Sequence, residues 1–200
     1  MADTSPKQDV KIDPPARIRD AAVTRARILT AAQTLFARCS YGQAGLRDIA
    51  AEAGVNVALV ARYFGSKEKL FEAALKATLT EGNLASHPRE NFGKGLVQAM
   101  VDHRGDRPHP MPMLVHAAAE PVSQAVALRL IVEEVLKPTA QWLGGEEAEQ
   151  RAAEILALSA GFYLYRVLLP LPSFSGAMDP AARKWLEETL QAIVDAPPKT

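Results

Sequence analysis

The stretch LRDIAAEAGVNVALVARYF, residues 46–64, is the most informative part of the sequence. It divides into two short helical segments, 46–53 and 57–64, that meet at Gly54. Two helices that cross at roughly 90–120° through a short turn leave no room for a large side chain, and the turn favours a residue that tolerates positive φ. Ala50 meets the first requirement and Gly54 the second. The pattern predicts a helix-turn-helix.

The two segments divide their side chains between an inward and an outward face. Inward positions are held by Ile49, Ala53, Val55 and Val60, and outward positions by Arg47, Val57, Ala58, Leu59, Ala61, Arg62 and Tyr63. A largely apolar outward face flanked by arginines, Tyr63 and Lys67 suits the major groove and the phosphates of DNA. An αα-hairpin inside an ordinary helical bundle would use the same spacing and is the alternative.

Helical periodicity continues on both sides of this stretch. A first helix is predicted over residues 24–39 and a fourth over 67–80, with Asn56 and Ser66 as N-caps of the third and fourth helices. Beyond residue 91 further helices are predicted over 92–102, 113–119, 123–143, 146–169 and 180–195, the last capped by Asp179. No segment alternates with period two, so we expect an all-α fold of about nine helices.

The pattern divides the chain into three parts. Residues 1–23 are polar and contain three prolines, and we interpret them as a flexible basic arm. Residues 24–80 form the predicted three-helix DNA-binding domain with its connecting helix, and residues 81–200 the helical ligand-binding and dimerisation domain. Arg25 and Arg27, with Arg17 and Arg19 of the arm, could contact DNA. For Arg17 and Arg19 the alternative is solvated charge on a disordered tail.

Charge is distributed unevenly, although the net charge is +0. Residues 1–80 carry 12 basic and 8 acidic side chains, whereas residues 81–200 carry 11 and 15. The single Cys39 cannot form an internal disulfide and fits a reducing cytoplasm. The longest apolar run, 155–169, is shorter than a membrane helix needs, so no membrane partner is expected. We find no nucleophile elbow, phosphate loop or metal motif, which argues against an enzyme.

The segment TRARILTAAQTLFARCSYGQAGLRDIAAEAGVNVALVARYFGSKEKLFEAAL, residues 24–75, resembles the DNA-binding domain of TetR-family regulators. The resemblance is specific because the first helix, the LRDIAAEAGV unit, the RYFGSKEKLF segment and their short spacings occur together. It covers about a quarter of the chain. The remainder is similar to the family in being helical and of suitable length.

The resemblance implies roles for individual residues. The helix from Val57 to Tyr63 would read the major groove, with Val57 and Leu59 facing bases and Arg47 reaching the backbone or a base edge. Tyr63 and Lys67 would contact phosphate. The sequence departs from the family where Gly45 replaces the usual capping Ser or Thr, and where Ala61 replaces a frequent Tyr. We hypothesise that Val57, Ala58 and Leu59 contact thymine methyls, and that Arg47 or Arg62 pairs with guanine.

The two final helices suggest a dimer. The segment 155–169 is hydrophobic nearly all round, which requires cover on more than one side. With apolar residues of the last helix it could build an intermolecular four-helix bundle, as the resemblance implies; those residues are Ala182, Trp185, Leu186, Leu190, Ile193 and Val194. The alternative is full burial inside one monomer. A homodimer would predict a palindromic operator.

A small-molecule effector is expected in the C-terminal body, and no cofactor is expected. The candidate ligand-binding residues mix apolar walls with a few polar groups: Met100, His103, Met111, Met113, His116, Trp142, Phe162, Tyr163 and Arg166. Each of them could instead be core packing. His103, His109 and His116 lack the spacing of metal ligands, so no metal site is expected.

The resemblance implies a repressor that a ligand releases from double-stranded operator DNA by shifting the population of its conformations. Three other functions stay open. A helical small-molecule binder without a specific operator would lack salt-dependent duplex binding, a nonspecific DNA binder would prefer no palindrome, and an activator would share these helices.

Overall fold

The computed structural model describes residues 16–81, 84, 87–102 and 109–196. Within these ranges the chain is helical and contains no strand, which confirms the predicted fold class. The helices, in chain order, are α1 (Ala16–Arg38), α2 (Leu46–Glu52), α3 (Val57–Phe64), α4 (Lys67–Glu81), α5 (Phe92–Asp102), α6 (Pro110–Ala117), α7 (Pro121–Ile131), α8 (Lys137–Leu143), α9 (Ala148–Tyr163) and α10 (Pro180–Asp195). We call α1–α4 the head and α5–α10 the body.

The first helix is longer than the sequence pattern predicts. It begins at Ala16 rather than near Thr24, so residues 16–23, which we assigned to the flexible arm, are helical. The apolar stripe that guided the prediction starts only at Ile28, but the preceding residues are rich in Ala and Arg, which have high helix propensity. The arm residues 1–15 lie outside the described residues.

The core of the head is shared with the body. Helices α1 and α4 pack antiparallel, with the Phe36 and Phe71 rings edge to face at 5.1 Å and Gln33 Nε2 donating to the Ala74 carbonyl at 3.3 Å. The same buried cluster includes Met113 of α6 and Leu130 of α7. Because α6 and α7 complete the core beneath the head, the position of the head depends on that of these two body helices.

A second core lies inside the body, where α5, α8, α9 and α10 meet. It is built from Phe92 and Leu96 on α5, Ile155 on α9, and Leu186 and Leu190 on α10. Together with Val194, these α10 leucines were expected at a dimer interface, but the structure buries all three in the core of their own chain. Trp185 stays 52% exposed on the same helix.

Two π-helical turns interrupt the long predicted helices. One covers Val132–Leu136 between α7 and α8, and the other covers Leu164–Leu168 after α9. Each precedes a proline, Pro138 or Pro170, which lacks the amide that an α-helix needs and crowds the preceding turn. The helix widens there, and after α9 the Leu169 amide bonds the Leu164 carbonyl at 2.7 Å.

Ion pairs join α4 to α7 and the π-helical turn that follows it. Lys76 Nζ lies 2.6 Å from Glu134 Oε1, and Arg129 lies 3.0 Å from Glu72 Oε1. All four side chains are partly solvent-exposed, so water screens both pairs and they contribute little to stability. Their importance is geometric, since they connect the last helix of the head with the body along its side.

Candidate functional site

The turn between α2 and α3 has the geometry predicted from the sequence. Gly54 adopts φ +62°, and Ala50 is buried at the crossing. The Val55 amide bonds the Ala50 carbonyl at 2.9 Å. Asn56 then caps α3, with its Oδ1 accepting from the Ala58 amide at 2.8 Å. These bonds fix the angle at which α3 leaves α2.

Helix α3 presents the predicted outward face to solvent. Ala58, Ala61 and Arg62 are exposed, and Val57 is 39% exposed. On the opposite side Val60 and Phe64 are buried in the head core. Leu59 and Tyr63 lie half-buried between the two sides. The result is a protruding, mostly apolar helix face.

The start of α2 lies beside this face. Arg47 is exposed, and Gly45 is the N-cap in extended conformation with no side-chain cap bond. The Asp48 carboxylate lies over this terminus, where its Oδ2 would be 2.5 Å from a β-carbon built on Gly45. An acidic group near the first amides of a helix stabilises it, so Asp48 partly replaces the missing cap.

Two further predicted cations of the head, Arg25 and Lys67, are held by neighbouring groups. The Arg25 guanidinium lies 4.9 Å from the centroid of the Phe64 ring. Lys67 Nζ donates to the Gly42 carbonyl at 3.2 Å and lies 4.7 Å from the Tyr41 ring centroid. Ser66 caps α4 as predicted, accepting from the Lys69 amide at 3.1 Å. Arg25 is therefore held against α3, and Lys67 against the turn between α1 and α2.

The candidate ligand-binding residues do not converge on one place. Met113 is buried in the core that the head shares with α6 and α7. Phe162, Met100 and Trp142 belong to the body core. His116 is half-buried on α6. His103 lies outside the described residues.

Two of these candidates make extensive internal contacts. The Trp142 ring packs on Phe92, with ring centroids 5.1 Å apart, and under the Arg89 guanidinium. Arg166 donates to the carbonyls of Phe174 at 2.5 Å and Val101 at 3.3 Å. Arg166 thereby ties the loop after α9 to the end of α5.

Two polar residues near Tyr163, His109 and Ser159, were not among the candidate ligand-binding residues. The His109 ring stacks on the Tyr163 ring at 3.7 Å, and its Nδ1 caps α6 by accepting from the Met111 amide at 3.1 Å. Burial raises the pKa of Tyr163. One turn earlier on α9, the Ser159 hydroxyl is buried without a hydrogen-bond partner. Ser159 could have been found from the sequence, because it is a polar residue inside the apolar run 155–169.

The described residues were compatible with neither a clustered metal site nor a membrane-spanning helix. Among the described residues, no group of three or more His, Cys, Asp or Glu side chains could hold a metal ion. In the same part of the chain, none of the helices is both long and apolar enough to cross a membrane.

Two family models match the chain. Residues 28–74 match the model described as bacterial regulatory proteins, tetR family, and residues 90–194 match the model described as tetracyclin repressor-like, C-terminal domain. Together they cover most of the head and nearly all of the body.

Individual proteins of known function or structure are similar to this chain. The HTH-type transcriptional repressor SCO4008 of Streptomyces coelicolor is 30% identical over 96 residues, which is 48% of this chain and 50% of the repressor. The match thus spans about half of that relative's length. A crystal structure of the TetR-family regulator SCO0857 of Streptomyces coelicolor is 26% identical, with TM-score 0.53, covering 86% of this chain and 95% of that chain. The multidrug binding protein EbrR, complexed with ethidium, has the same fold at 20% identity and TM-score 0.61, covering 85% of this chain and 98% of its own.

Proposed function

Because this chain belongs to the TetR family of bacterial regulatory proteins, we propose that it represses transcription as a homodimer on a palindromic operator and leaves that operator when a small molecule binds its body. Family membership makes the chain a transcriptional regulator rather than an enzyme. The single observation that supports the proposal most is the protruding apolar face of α3, flanked by arginines and supported by the fixed turn at Gly54.

The proposed DNA contacts divide by chemistry. Val57, Ala58 and Leu59 face the bases and contact thymine methyl groups, with Ala61 beside them on the same helix. Arg47 or Arg62 pairs with guanine, and Arg47 reaches the backbone or a base edge. Tyr63, Lys67, Arg25 and the backbone amides after Gly45 contact phosphates. In this division the apolar centre reads sequence, and the charged rim supplies salt-dependent affinity.

Substitutions at the two kinds of position test this division on a selected duplex. Arg62→Ala should cost about 1–3 kcal/mol of binding free energy and relax the preference at one base pair of each half-site. Lys67→Ala should weaken binding to all sequences alike. Lys184→Ala, which removes an exposed cation from α10, is the control and should change neither property. Equal loss on all sequences for Arg62→Ala would contradict its role in reading bases.

The outward side of α9 supports the dimer. A line of small residues, Ala153, Ala157 and Gly161, runs along this side at intervals of one helical turn. A β-carbon added at Gly161 would meet nothing within 4 Å in the protomer. Beyond this line and on α10 the protomer exposes apolar side chains, namely Tyr165, Val167, Leu169, Leu171 and Trp185. Small residues let two helices approach closely, so a second copy fits here and covers the apolar rim.

A matched pair of substitutions tests this surface. Ala157 on α9 and Ala125 on α7 are both exposed alanines inside helices, so glutamate at either position leaves the protomer folded. Ala157→Glu should convert the dimer to a monomer in sedimentation velocity and abolish operator binding. Ala125→Glu should remain a dimer. A dimeric Ala157→Glu protein would exclude this face of α9 as the interface.

We place the effector site in the body. The body candidates for effector contact are Met100, His103, Met111, Met113, His116, Trp142, Phe162, Tyr163 and Arg166, and the Ser159 hydroxyl near Tyr163 adds an unpaired polar group. EbrR, which has the same fold, is a multidrug binding protein and was solved with ethidium bound. If an effector releases DNA, operator DNA must weaken effector binding by the same factor. Calorimetric titration of the effector into the protein, with and without the selected duplex, measures this factor, and equal effector affinities in the two titrations would contradict the scheme.

A further inference from the structure

Glu120 lies in the corner between α6 and α7, and its carboxylate bonds the head instead of the start of α7. Glu120 occupies the N-cap position of α7, where a short polar side chain such as that of Asp would ordinarily accept bonds from the first amides of the helix. Its side chain makes no such bond. Instead Glu120 Oε1 accepts from the Gly42 amide at 2.8 Å, across 78 positions of sequence. The body thus binds the turn between α1 and α2 of the head.

This corner is fixed to both of its helices. Ser123 is fully buried, and its one hydroxyl proton is shared between the Ala117 carbonyl at 3.0 Å and the Glu120 carbonyl at 3.2 Å. Pro121 occupies the first position of α7 and restricts the backbone there. Because Ala117 is the last residue of α6, Glu120 must follow any displacement of α6.

The same turn of the head is held from its other side by Lys67. Lys67 Nζ donates to the Gly42 carbonyl at 3.2 Å, and the Tyr41 ring lies beneath the ammonium at 4.7 Å. Gly42 therefore bonds both groups, because its amide donates to the Glu120 carboxylate and its carbonyl accepts from the Lys67 ammonium. The peptide units of Gly42 connect Glu120 mechanically to Lys67.

Electrostatics support this arrangement. The pKa of Glu120 is lowered by the Gly42 amide, then by the Ser40 hydroxyl, and further by the positive charge of Lys67. The pKa of Tyr41 is raised by burial first and then by the negative charges of Glu68 and Glu120. The carboxylate and the ammonium thus act on each other across the turn.

We propose that Glu120 is a positioning residue for DNA binding, which holds the α1–α2 turn through the Gly42 amide and thereby keeps the Lys67 ammonium in place for a phosphate. The inference rests on the proposed function, because it takes Lys67 as a phosphate contact. Glu120 belongs to the body and lies outside α3, so a body residue joins those that determine operator affinity. Displacement of α6 moves Glu120 and alters a phosphate contact directly.

The test uses four variants of the 200-residue chain: Glu120→Ala, Glu120→Gln, Lys67→Ala and the double variant Glu120→Ala with Lys67→Ala. Affinity for the selected duplex is measured by fluorescence anisotropy at several salt concentrations. Glu188→Ala removes the same charge from the exposed surface of α10 and is the control for net charge. Thermal unfolding of each variant shows that it is folded.

If Glu120 acts through Lys67, Glu120→Ala and Lys67→Ala should each weaken binding about tenfold and reduce the slope of log K against log salt by about 0.9 per subunit. The double variant should bind no more weakly than Lys67→Ala, because the two changes remove one contact. Glu120→Gln should bind within about threefold of the wild type, because its amide oxygen still accepts from Gly42. Glu188→Ala should leave the slope unchanged.

Two results would overturn the inference alone, with the unsubstituted protein binding its duplex. One is an unchanged salt slope in Glu120→Ala, and the other is a double variant whose losses add. A Glu120→Gln protein as weak as Glu120→Ala would also overturn it, since the bond to Gly42 would then not be the cause. If the unsubstituted protein selects no duplex, the proposed function fails and the inference fails with it.

Discussion

The crossing of α5 and α10 at Gly93 gives a prediction whose size follows from the structure. A β-carbon on Gly93 would overlap the Glu187 carbonyl oxygen and would lie 2.9 Å from the Gln191 amide nitrogen. These obstacles belong to the backbone of α10 and cannot rotate away. The Gly93 amide also donates to Gln191 Oε1 at 3.0 Å. Gly93→Ala must therefore push the two helices apart.

The expected loss of stability combines two opposing effects. Overpacking costs about 1–3 kcal/mol, and the rigid backbone contact places this site at the upper end. Replacing a helical glycine by alanine returns about 1 kcal/mol of helix propensity. The net loss is about 2 kcal/mol, which lowers the melting temperature of a protein of this size by about 4–8 °C.

Thermal unfolding followed by far-ultraviolet circular dichroism, at one protein concentration, measures this loss. Gly95→Ala is the matched control on the same helix, because its β-carbon would meet only the side chain of His87, at 3.1 Å from Nδ1. That ring can rotate, so Gly95→Ala should unfold at or slightly above the wild-type temperature. A Gly93→Ala protein that unfolds with the Gly95→Ala protein would refute the close crossing of α5 and α10.

Three further predictions concern the head, the body core and pH. Gly54→Ala places a β-carbon on a residue with φ +62° and should lower the unfolding free energy, measured by chemical denaturation, by about 1–2 kcal/mol. Gly54→Asn should lower it less. An alanine variant as stable as the wild type would contradict the backbone strain. Arg151 is only 8% exposed and donates to carbonyls at the ends of α8 and α10. Arg151→Met should therefore lower the unfolding free energy by about 2–3 kcal/mol. A change below about 0.5 kcal/mol would show that these bonds contribute little. Because the folded-state pKa of Glu120 is lowered below its ordinary 4.5, its contribution to stability is present above pH 4.5 and is lost as pH falls through the lowered value. The stability difference between wild type and Glu120→Gln should therefore shrink on acidification, and a difference constant with pH would contradict the shift.

The local structure of the head could be predicted from sequence because it depends on residues with narrow conformational roles. Gly54 at positive φ, Ala50 at the crossing, and the caps Asn56 and Ser66 all occur as predicted, as does the cap Asp179 of α10 in the body. Each of these requirements is met within a few residues of chain. The outward face of α3 follows from the same periodicity.

The parts that sequence did not predict depend on contacts between distant helices. Leu186 and Leu190 form an apolar stripe that would suit a partner subunit as well as a core, and only the position of α5 assigns them to the core. The contact between Glu120 and Gly42 joins residues 78 positions apart and has no local signature. The start of α1 at Ala16 was missed because the first residues of this helix lack an apolar stripe.

The most direct test of the central claim is selection of bound duplexes from a random library by the purified protein, followed by titration of the selected duplex at several salt concentrations. The account predicts an enriched palindrome whose half-sites lie one DNA turn apart and contain T and G, with a steep negative dependence of affinity on salt. The absence of any enriched sequence would contradict an operator-binding dimer and would favour a helical small-molecule binder.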